Sequence, residues 1–599
     1  MSIDSCYEGV IAKLTSENRI KDISFKLLSL TTEHERVLFV YNILEELNAF
    51  PSVKEVKKSD EQSVCNRNRG NQFFTKSQFH KAWQYYNLSL LYATINSENF
   101  CIALSNRSAV FYELEKYNEC IKDIDTVFSL PYPKKLQQKL NKRKLSCNNA
   151  LSEKETIPNN IKIEDILKMK TQKDPIFIAA SSKLEVIYSE EMGRHVVAKE
   201  NINVGEIIVE EEPYLTILLK NQHLVACSYC LSRCLNLMPC DTCCFCLYCT
   251  NECKAKAWKE FHETECPLMA TLFQMNFTKL ELLALRTVIR ARTDHFNWID
   301  LFKTIEAADA LNNTEFHGQV KVGDNWTYDS KYYASIHSLA TNADKRSISD
   351  IFQKAVTAAV FLRFLRCHTN FMIHDCEDQQ DSVLQCVARL LLIHEMTTPI
   401  NMHSIASNME DESGKSVDEI NLGCAPYAFS SLLNHSCAPN VTRCTKLGTG
   451  KMLVIALRPI KKGMQIFDNY GFHHAVMDRI SRNYSLKSQY KFICVCEACT
   501  NNWPTYMELN LRKSTKVPKN IVAAKEKLLP MKVINELQYG KVDTALHVYH
   551  KLCKLCESLE AYTPCVELCE CQEALKQCLS IFEGHVPYGS DLMVENHLF

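Results

Sequence analysis

Three closely spaced cysteines, Cys494-x-Cys496-x2-Cys499, cannot complete a tetrahedral thiolate site, so a metal bound there must draw its fourth ligand from elsewhere in the chain. Cys437, in Asn434-His435-Ser436-Cys437, is the natural donor, and a shared zinc ion would pin that Asn-His loop against a segment far away in sequence. A second ligand-rich stretch, residues 227–266, holds Cys227-x2-Cys230, Cys240-x2-Cys243, Cys249-x3-Cys253 and His262-x3-Cys266. These are four ligand pairs, enough for two further zinc ions. A sequential and an interleaved assignment use the same residues. The interleaved one is expected, with Cys227, Cys230, Cys249 and Cys253 on one ion and Cys240, Cys243, His262 and Cys266 on the other. Cys234, Cys244 and Cys246 fit no pair and read as spare thiols.

The chain has 599 residues, too many for one core, and corresponds to about three to five domains. Its 30 cysteines, without a secretory signal at Met1-Ser2-Ile3-Asp4-Ser5-Cys6, point to metal ligands and buried thiols in a reducing compartment rather than a disulfide scaffold. No apolar run reaches transmembrane length, which argues against a membrane partner. A formal charge of -1 gives no global field toward nucleic acid, and specific DNA binding is not expected. Lys254, Lys256 and Lys259 form a short basic helix face that reads as solvated rather than as a nucleic-acid contact. Cys553, Cys556, Cys565, Cys569, Cys571 and Cys578 stand at helical spacing among apolar neighbours, so core thiols are favoured over a fourth zinc site.

Residues 1–60 read as helix followed by a linker. From Gly70 an internal echo begins: Gly70, Ala82, Tyr86 and Ser89 recur, shifted by 38 residues, as Ser108, Cys120, Ile124 and Val127, with Pro131 closing the second unit. Small residues at such positions let two helices cross closely. The pattern of residues 66–150 resembles tetratricopeptide repeats, of period about 34, with about four residues inserted near Asn96 to Asn99; a generic helical bundle is the alternative. A polar connector with Pro158 follows over 152–172. Then come short strand-like runs at Leu184–Tyr188, Gly193–Ala198 and Val204–Val209, a helix-patterned stretch from 270 to 400, a strand-like run at Met452–Leu457, and helix beyond Cys499.

Pro239 and Tyr248, each preceding a ligand cysteine, and Trp258 on the next helix make residues 227–266 resemble a MYND zinc finger. A MYND finger placed between Gly193-Arg194-His195-Val196-Val197-Ala198 and Asn434-His435-Ser436-Cys437 is similar to one arrangement: the SET- and MYND-domain protein-lysine methyltransferases. The similarity continues through Asn469-Tyr470-Gly471 and Tyr490-Lys491-Phe492-Ile493-Cys494-Val495-Cys496-Glu497-Ala498-Cys499, and the repeats point to the subfamily with an N-terminal tetratricopeptide region. The resemblance implies a multidomain α+β architecture, a SET β-fold interrupted by the finger and a helical insert and flanked by α-helical repeat domains. It divides the chain into an N-terminal helical segment (1–60), repeats (66–150), the first part of SET (175–226), finger (227–266), insert (267–395), core SET (396–475), post-SET (476–500) and a C-terminal tetratricopeptide-like domain (501–599). A carboxyl segment threaded under a loop is also implied, a rare exception to unthreaded topology.

The resemblance further implies S-adenosylmethionine as methyl donor and three zinc ions, two in the finger and one post-SET. Methyl transfer is an in-line displacement, so the site must hold a neutral amine about 3 Å from the methyl carbon and exclude water. An apolar channel favours the neutral amine, and no strong base is needed. Tyr470 matches the active-site tyrosine and Tyr490 a second channel aromatic. Gly193 and Arg194 match the turn whose backbone approaches the donor, Asn434 and His435 the pair that binds it, and Phe492 the residue stacked on adenine; Asn401, in Asn401-Met402-His403, matches a further polar contact. His195 stands where many relatives carry Gly, which restricts close backbone approach at that turn. Implied partners are histone or non-histone protein substrates, proline-rich or corepressor peptides on the finger, and a chaperone or other partner on the repeats. The implied location is cytoplasm and nucleus. The C-terminal domain is implied either to gate the substrate cleft or to act as a stabilising cap. A non-catalytic adaptor or corepressor that keeps the SET fold as scaffold is the competing reading. Tyr470, which a scaffold has no need of, favours the enzyme.

Overall fold

The computed structural model describes residues 2–130, 134–152, 160–374, 379–410, 416–446, 448–512 and 517–586. Pro131, Pro158 and the last residues of the expected C-terminal domain lie outside them. The architecture is mixed helix and sheet: small sheets at the centre, with helical regions at both ends. No helix among the described residues is long and apolar enough to cross a membrane.

Lys451–Ala456 is the middle strand of a three-stranded antiparallel sheet, flanked by Val441–Lys446 and Ile207–Glu211. Its unbroken apolar run is explained by what lies on each face. Met452, Val454 and Ala456 face the main core, whereas Leu453 and Ile455 join a second core built by the C-terminal helices. Val542–Leu559 and Val566–Glu583 supply most of that second core, including Cys553, Cys556, Cys571 and Cys578, all buried. Burial pushes the Cys553, Cys571 and Cys578 thiols up to about 12, which makes them inert packing groups and agrees with the core-thiol reading. The helices also close over the turn at Gly205 (φ +85°), where an added Cβ would lie 2.7 Å from Cys553 Sγ. The C-terminal helices are therefore built onto the sheet by a shared core.

Two features depart from the sequence reading. A long antiparallel hairpin, Met402–Glu410 with Ser416–Pro426, lies where the sequence predicts no strand. Its outer part, Asn408-Met409-Glu410 and Ser416-Val417-Asp418-Glu419, lacks the apolar alternation by which strands are recognised. Tertiary pairing supplies what local pattern does not, with Ile217–Leu218 on one edge and His585–Val586 on the other. The second departure is at the N-terminus. The sequence predicts helix and linker over residues 1–60, yet Ile3–Ser16, Ile20–Ser29 and Glu33–Glu46 are three helices, the last capped by a reciprocal Thr32–Glu35 box. Glu33–Glu46 packs against Ile348–His368 and Gln380–Asn401, and Arg363 donates to the Tyr41 hydroxyl at 3.0 Å. The first helices thus complete the helical insert instead of leading into the repeats.

Asp60–Thr75, Phe79–Tyr92, Glu98–Glu113 and Tyr117–Phe128 form two successive helical hairpins, followed by Lys134–Ser152. Gly70 lies where two helices cross: a Cβ there would come within 2.6 Å of the Tyr86 ring. The polar face of these hairpins grips the finger and the segment just ahead of it. Trp83 Nε1 donates to the Leu235 carbonyl at 3.1 Å, Asn87 Nδ2 to Leu224 at 2.8 Å and Arg107 Nη1 to Leu237 at 2.6 Å. Arg107 is fully buried and makes a two-pronged ion pair with Asp123, both contacts at 2.8 Å, while Asn236 donates to the same carboxylate at 2.7 Å. A buried pair stripped of one member leaves an uncompensated charge, at a cost of about 3–5 kcal/mol. Arg107→Ala is therefore expected to remove hydrogen-exchange protection from Glu98–Phe128 and from the 234–238 loop together, with protection of the Lys451–Ala456 strand unchanged.

Candidate active site and metal centres

Each predicted metal set comes together. Cys227, Cys230, Cys249 and Cys253 form one group, Cys240, Cys243, His262 and Cys266 a second, and Cys437, Cys494, Cys496 and Cys499 a third; within each group the ligand atoms lie within 4.8 Å of one another. The finger is interleaved, the expected one of the two assignments its residues allow. The observed Sγ separations, 3.5 Å for Cys230–Cys249, 3.6 Å for Cys249–Cys253, 3.9 Å for Cys240–Cys266 and 3.5 Å for Cys437–Cys499, match the edge of a zinc–thiolate tetrahedron, about 3.8 Å for 2.3 Å bonds. The donor sets are those of closed structural zinc sites. Cys253 sits in the first turn of Asn251–Ala257, capped by Thr250, and a π-helical turn, Trp258–His262, carries His262 back toward Cys240 and Cys243. The spare thiols Cys234, Cys244 and Cys246 fall outside all three groups.

A zinc ion held by four thiolates leaves a net negative charge that burial makes costly. Arg482, fully buried on Arg479–Tyr490, answers it: its Nη2 donates to Cys499 Sγ at 3.6 Å, with the Asn483 amide at 3.9 Å. Trp503, Leu486 and Phe472 pack around this centre.

The Asn434-His435 loop is fixed by a short parallel strand pair with Phe467–Asp468. Asn440 ties the crossing: its Oδ1 accepts from Phe467 N at 2.8 Å, its Nδ2 donates to Gln465 O at 2.9 Å and its carbonyl accepts from Leu457 N at 2.8 Å. His435 Nδ1 accepts from the Tyr470 amide at 3.0 Å, which leaves its Nε2–H directed to Cys437 Sγ at 3.4 Å. Burial lowers the His435 ring to about 4, so it is neutral at physiological pH. The aromatic groups converge: ring centroids are 4.8 Å apart for Tyr470–Tyr490, 5.2 Å for His435–Tyr470 and 6.1 Å for His435–Phe492. The Tyr470 hydroxyl donates to the Leu433 carbonyl at 2.8 Å, which leaves its lone pairs to accept from an incoming N–H. Burial holds Tyr470 and Tyr490 above the ordinary tyrosine range. A tyrosine so placed orients a proton donor and does not act as a base at neutral pH.

At the other wall, Asn434 Nδ2 donates to Met192 O at 3.1 Å, joining the loop to the Gly193 turn. Gly193 has φ +66°, and the space an added Cβ would take is open for 4 Å. His195 leaves that turn unobstructed despite its size: it is a strand residue opposite Ile187, and its buried ring turns back, Nδ1 2.9 Å from the Gly193 carbonyl. The Arg194 guanidinium is engaged by the insert, donating to His317 O at 2.9 Å and Ser338 O at 3.2 Å. Both amide hydrogens of Asn401 go to the Ala340 and Thr397 carbonyls, at 2.7 and 3.0 Å, leaving its Oδ1 as the atom with acceptor capacity to spare.

Residues the sequence did not single out surround the tyrosine. Arg443, on Val441–Lys446, donates to His403 Nδ1 at 2.6 Å and to Asn469 O at 3.3 Å, and its Nε lies 3.1 Å from the Asp468 carboxylate. Burial and the adjacent guanidinium keep His403 well below its usual range, so it accepts as a neutral ring. His403 was visible as the end of Asn401-Met402-His403; nothing in the spacing marks Arg443 or Asp468. Metal analysis is expected to give three zinc ions per chain, and two for Cys437→Ser. That variant should also raise exchange at Cys494–Trp503 and leave the finger protected, because the two finger sites share no ligand with the third.

A SET-domain family model matches residues 193–471. Over 531 residues the chain is 27% identical to the protein-lysine N-methyltransferase SMYD4 of Danio rerio, covering 76% of this chain and 68% of the relative. It is 25% identical to the Homo sapiens SMYD4 over 548 residues, 74% of this chain and 67% of the relative. With the N-lysine methyltransferase SMYD2 of Homo sapiens it shares 25% over 338 residues, 56% of this chain and 64% of that protein. The match to the SET domain, the relatives that span most of the chain and the interleaved metal-ligand set between the SET strands together make this chain similar to the SET- and MYND-domain proteins.

Proposed function

We propose that the protein is a protein-lysine N-methyltransferase that takes its methyl group from S-adenosylmethionine, with Tyr470 and Tyr490 lining the acceptor channel and Gly193, Arg194, His195, Asn401, Asn434, His435 and Phe492 around the donor. One observation carries this reading: a buried tyrosine whose hydroxyl proton is committed to a backbone carbonyl, facing a second tyrosine, beside an Asn-His loop that a four-thiolate centre closes. The names of the relatives point the same way.

The residues present fit the donor. Open space beside Gly193, the aromatic faces of His435 and Phe492, and the Asn434 side chain between them offer room for a backbone-bound amino acid and a stacked base. S-adenosylmethionine, when bound, supplies an electrophilic methyl on a sulfonium. The chain does the rest. Tyr470 and Tyr490 exclude water and present ring faces to positive charge, and the Tyr470 oxygen accepts from the amine so that its lone pair stays aimed. The ammonium form of lysine, with an ordinary pKa of about 10.4, is disfavoured in such a channel, and its proton leaves to solvent before transfer. Histone and non-histone proteins are both compatible acceptors. Finger and repeat partners belong to this proposal as well, although the repeat face carrying Asn87, Arg107 and Asp123 is filled by the finger itself. A cytoplasmic and nuclear location belongs to the same proposal, and imaging of the tagged full chain tests it.

Purified protein, labelled donor and cell extract test the activity beside Tyr470→Phe and Asn434→Ala. Label is expected on lysine with the wild type and reduced at least about a hundredfold in each variant. Donor that binds without any transfer would favour the adaptor reading. The pH profile has a definite sign: deprotonating the acceptor amine raises the rate with pH. No falling limb from Tyr470 is expected up to about pH 10, because its ionisation is pushed above the ordinary value.

A further inference from the structure

We propose that Glu211 is a positioning residue of the transfer site: its carboxylate fixes the backbone from Ala428 to Leu433, and through it the carbonyl that receives the Tyr470 hydroxyl. This rests on the methyltransferase reading and adds to it a residue remote from the aromatic channel. Glu211 ends the strand Ile207–Glu211 and is 2% exposed. Four donors converge on it: Phe429 N at 2.7 Å, Ser430 N at 2.8 Å, Ser430 Oγ at 2.7 Å and Ser330 Oγ at 2.6 Å. Ser330, itself buried and brought in by the insert, accepts from Ala428 N at 2.7 Å, and the Tyr328 hydroxyl donates to Ala428 O at 3.1 Å. Every polar group named in this turn is thereby held from outside it.

The turn opens directly onto the site. A single 3-10 turn, Ser430–Leu432, leads to Leu433, whose carbonyl accepts from Tyr470, and then to Asn434-His435. One rigid turn separates the carboxylate from the tyrosine's acceptor. An ionised carboxylate is the one side chain of this length that accepts four hydrogen bonds and brings no donor of its own. Glutamine, whichever way its amide turns, would set an NH2 against the N–H of Phe429 or of Ser430, and the turn would have to shift to relieve the clash. A shift of about 1 Å in a group that orients the reacting amine costs on the order of a hundredfold in rate. Asn434 has further supports in Met192 and the pair with Phe467–Asp468, so donor binding should respond less than transfer.

The test compares wild type, Glu211→Gln, Ser330→Ala and Ser330→Thr, with labelled S-adenosylmethionine varied and cell-extract protein as acceptor. Ser330→Ala is expected to lower the maximal rate roughly tenfold and Glu211→Gln roughly a hundredfold, with the donor KM changed less than about threefold. Ser330→Thr, which keeps the hydroxyl, should recover most of the rate. If Glu211→Gln does not fold, Ser330→Ala and its threonine rescue decide the matter. Folded variants that transfer at the wild-type rate overturn the proposal, as does a rate loss matched by an equal loss in donor affinity and melting temperature. A wild type that transfers no label brings down the methyltransferase reading itself, a result distinct from equal rates in wild type and variants.

Discussion

A single metal-ligand centre sets the topology of the site. Cys437 and Cys499 are 62 residues apart in sequence, yet their sulfurs lie 3.5 Å from each other, and Tyr490 and Phe492 stand on the stretch that must fold back to make this so. Closing a loop of that size costs conformational entropy, which metal–thiolate bonds offset only when all four ligands engage. Arg482 makes the arrangement tolerable in a buried place by offsetting thiolate charge. The Asn434-His435 loop is thus held from three directions: by the metal cluster through Cys437, by the parallel pair with Phe467–Asp468, and by the Glu211 turn that precedes it.

The metal centres were legible because their chemistry is written as spacing. Four short-range pairs must become two four-ligand sites, and the same geometry that makes a pair bite also makes it visible in a sequence. The third site was less plain from spacing: three clustered thiols leave a vacancy, and Cys437 was chosen to fill it because of its neighbours in Asn434-His435-Ser436-Cys437. The strand Lys451–Ala456 announced itself as an apolar run, and the structure explains the lack of alternation by a core on each face. The hairpin Met402–Pro426 was not legible. Its stability comes from partners on both edges that are distant in sequence, and its own residues are too polar to suggest it.

The same division holds at the site. Asn434, His435 and Tyr470 stand in a recognisable order, and the structure brings His435 into contact with Tyr470 while Asn434 reaches the Gly193 turn. Arg194 was expected to face the donor through its backbone and Asn401 through a polar contact, and their side chains are tied to carbonyls of the helical insert, at His317, Ser338 and Ala340. The insert is therefore part of the wall and not merely an interruption of the sheet. Arg443, Asp468 and Glu211 support the tyrosine from strands and carry no local signature. A lone charged residue in a strand is ordinarily solvent-facing, and only the fold reveals what it holds.

The interleaving of distant thiolates has a consequence for the chain as it is made. A nascent polypeptide that has reached Cys437 but not Tyr490 carries one ligand of the third centre without its partners, and lacks the Tyr490 and Phe492 rings that come just before them. Both finger clusters, complete by Cys266, have all their ligands long before that moment. The ligand sets are thereby completed in a fixed order, finger first and active-site closure last, and a truncated product ending in between would carry two complete sets and no finished pocket.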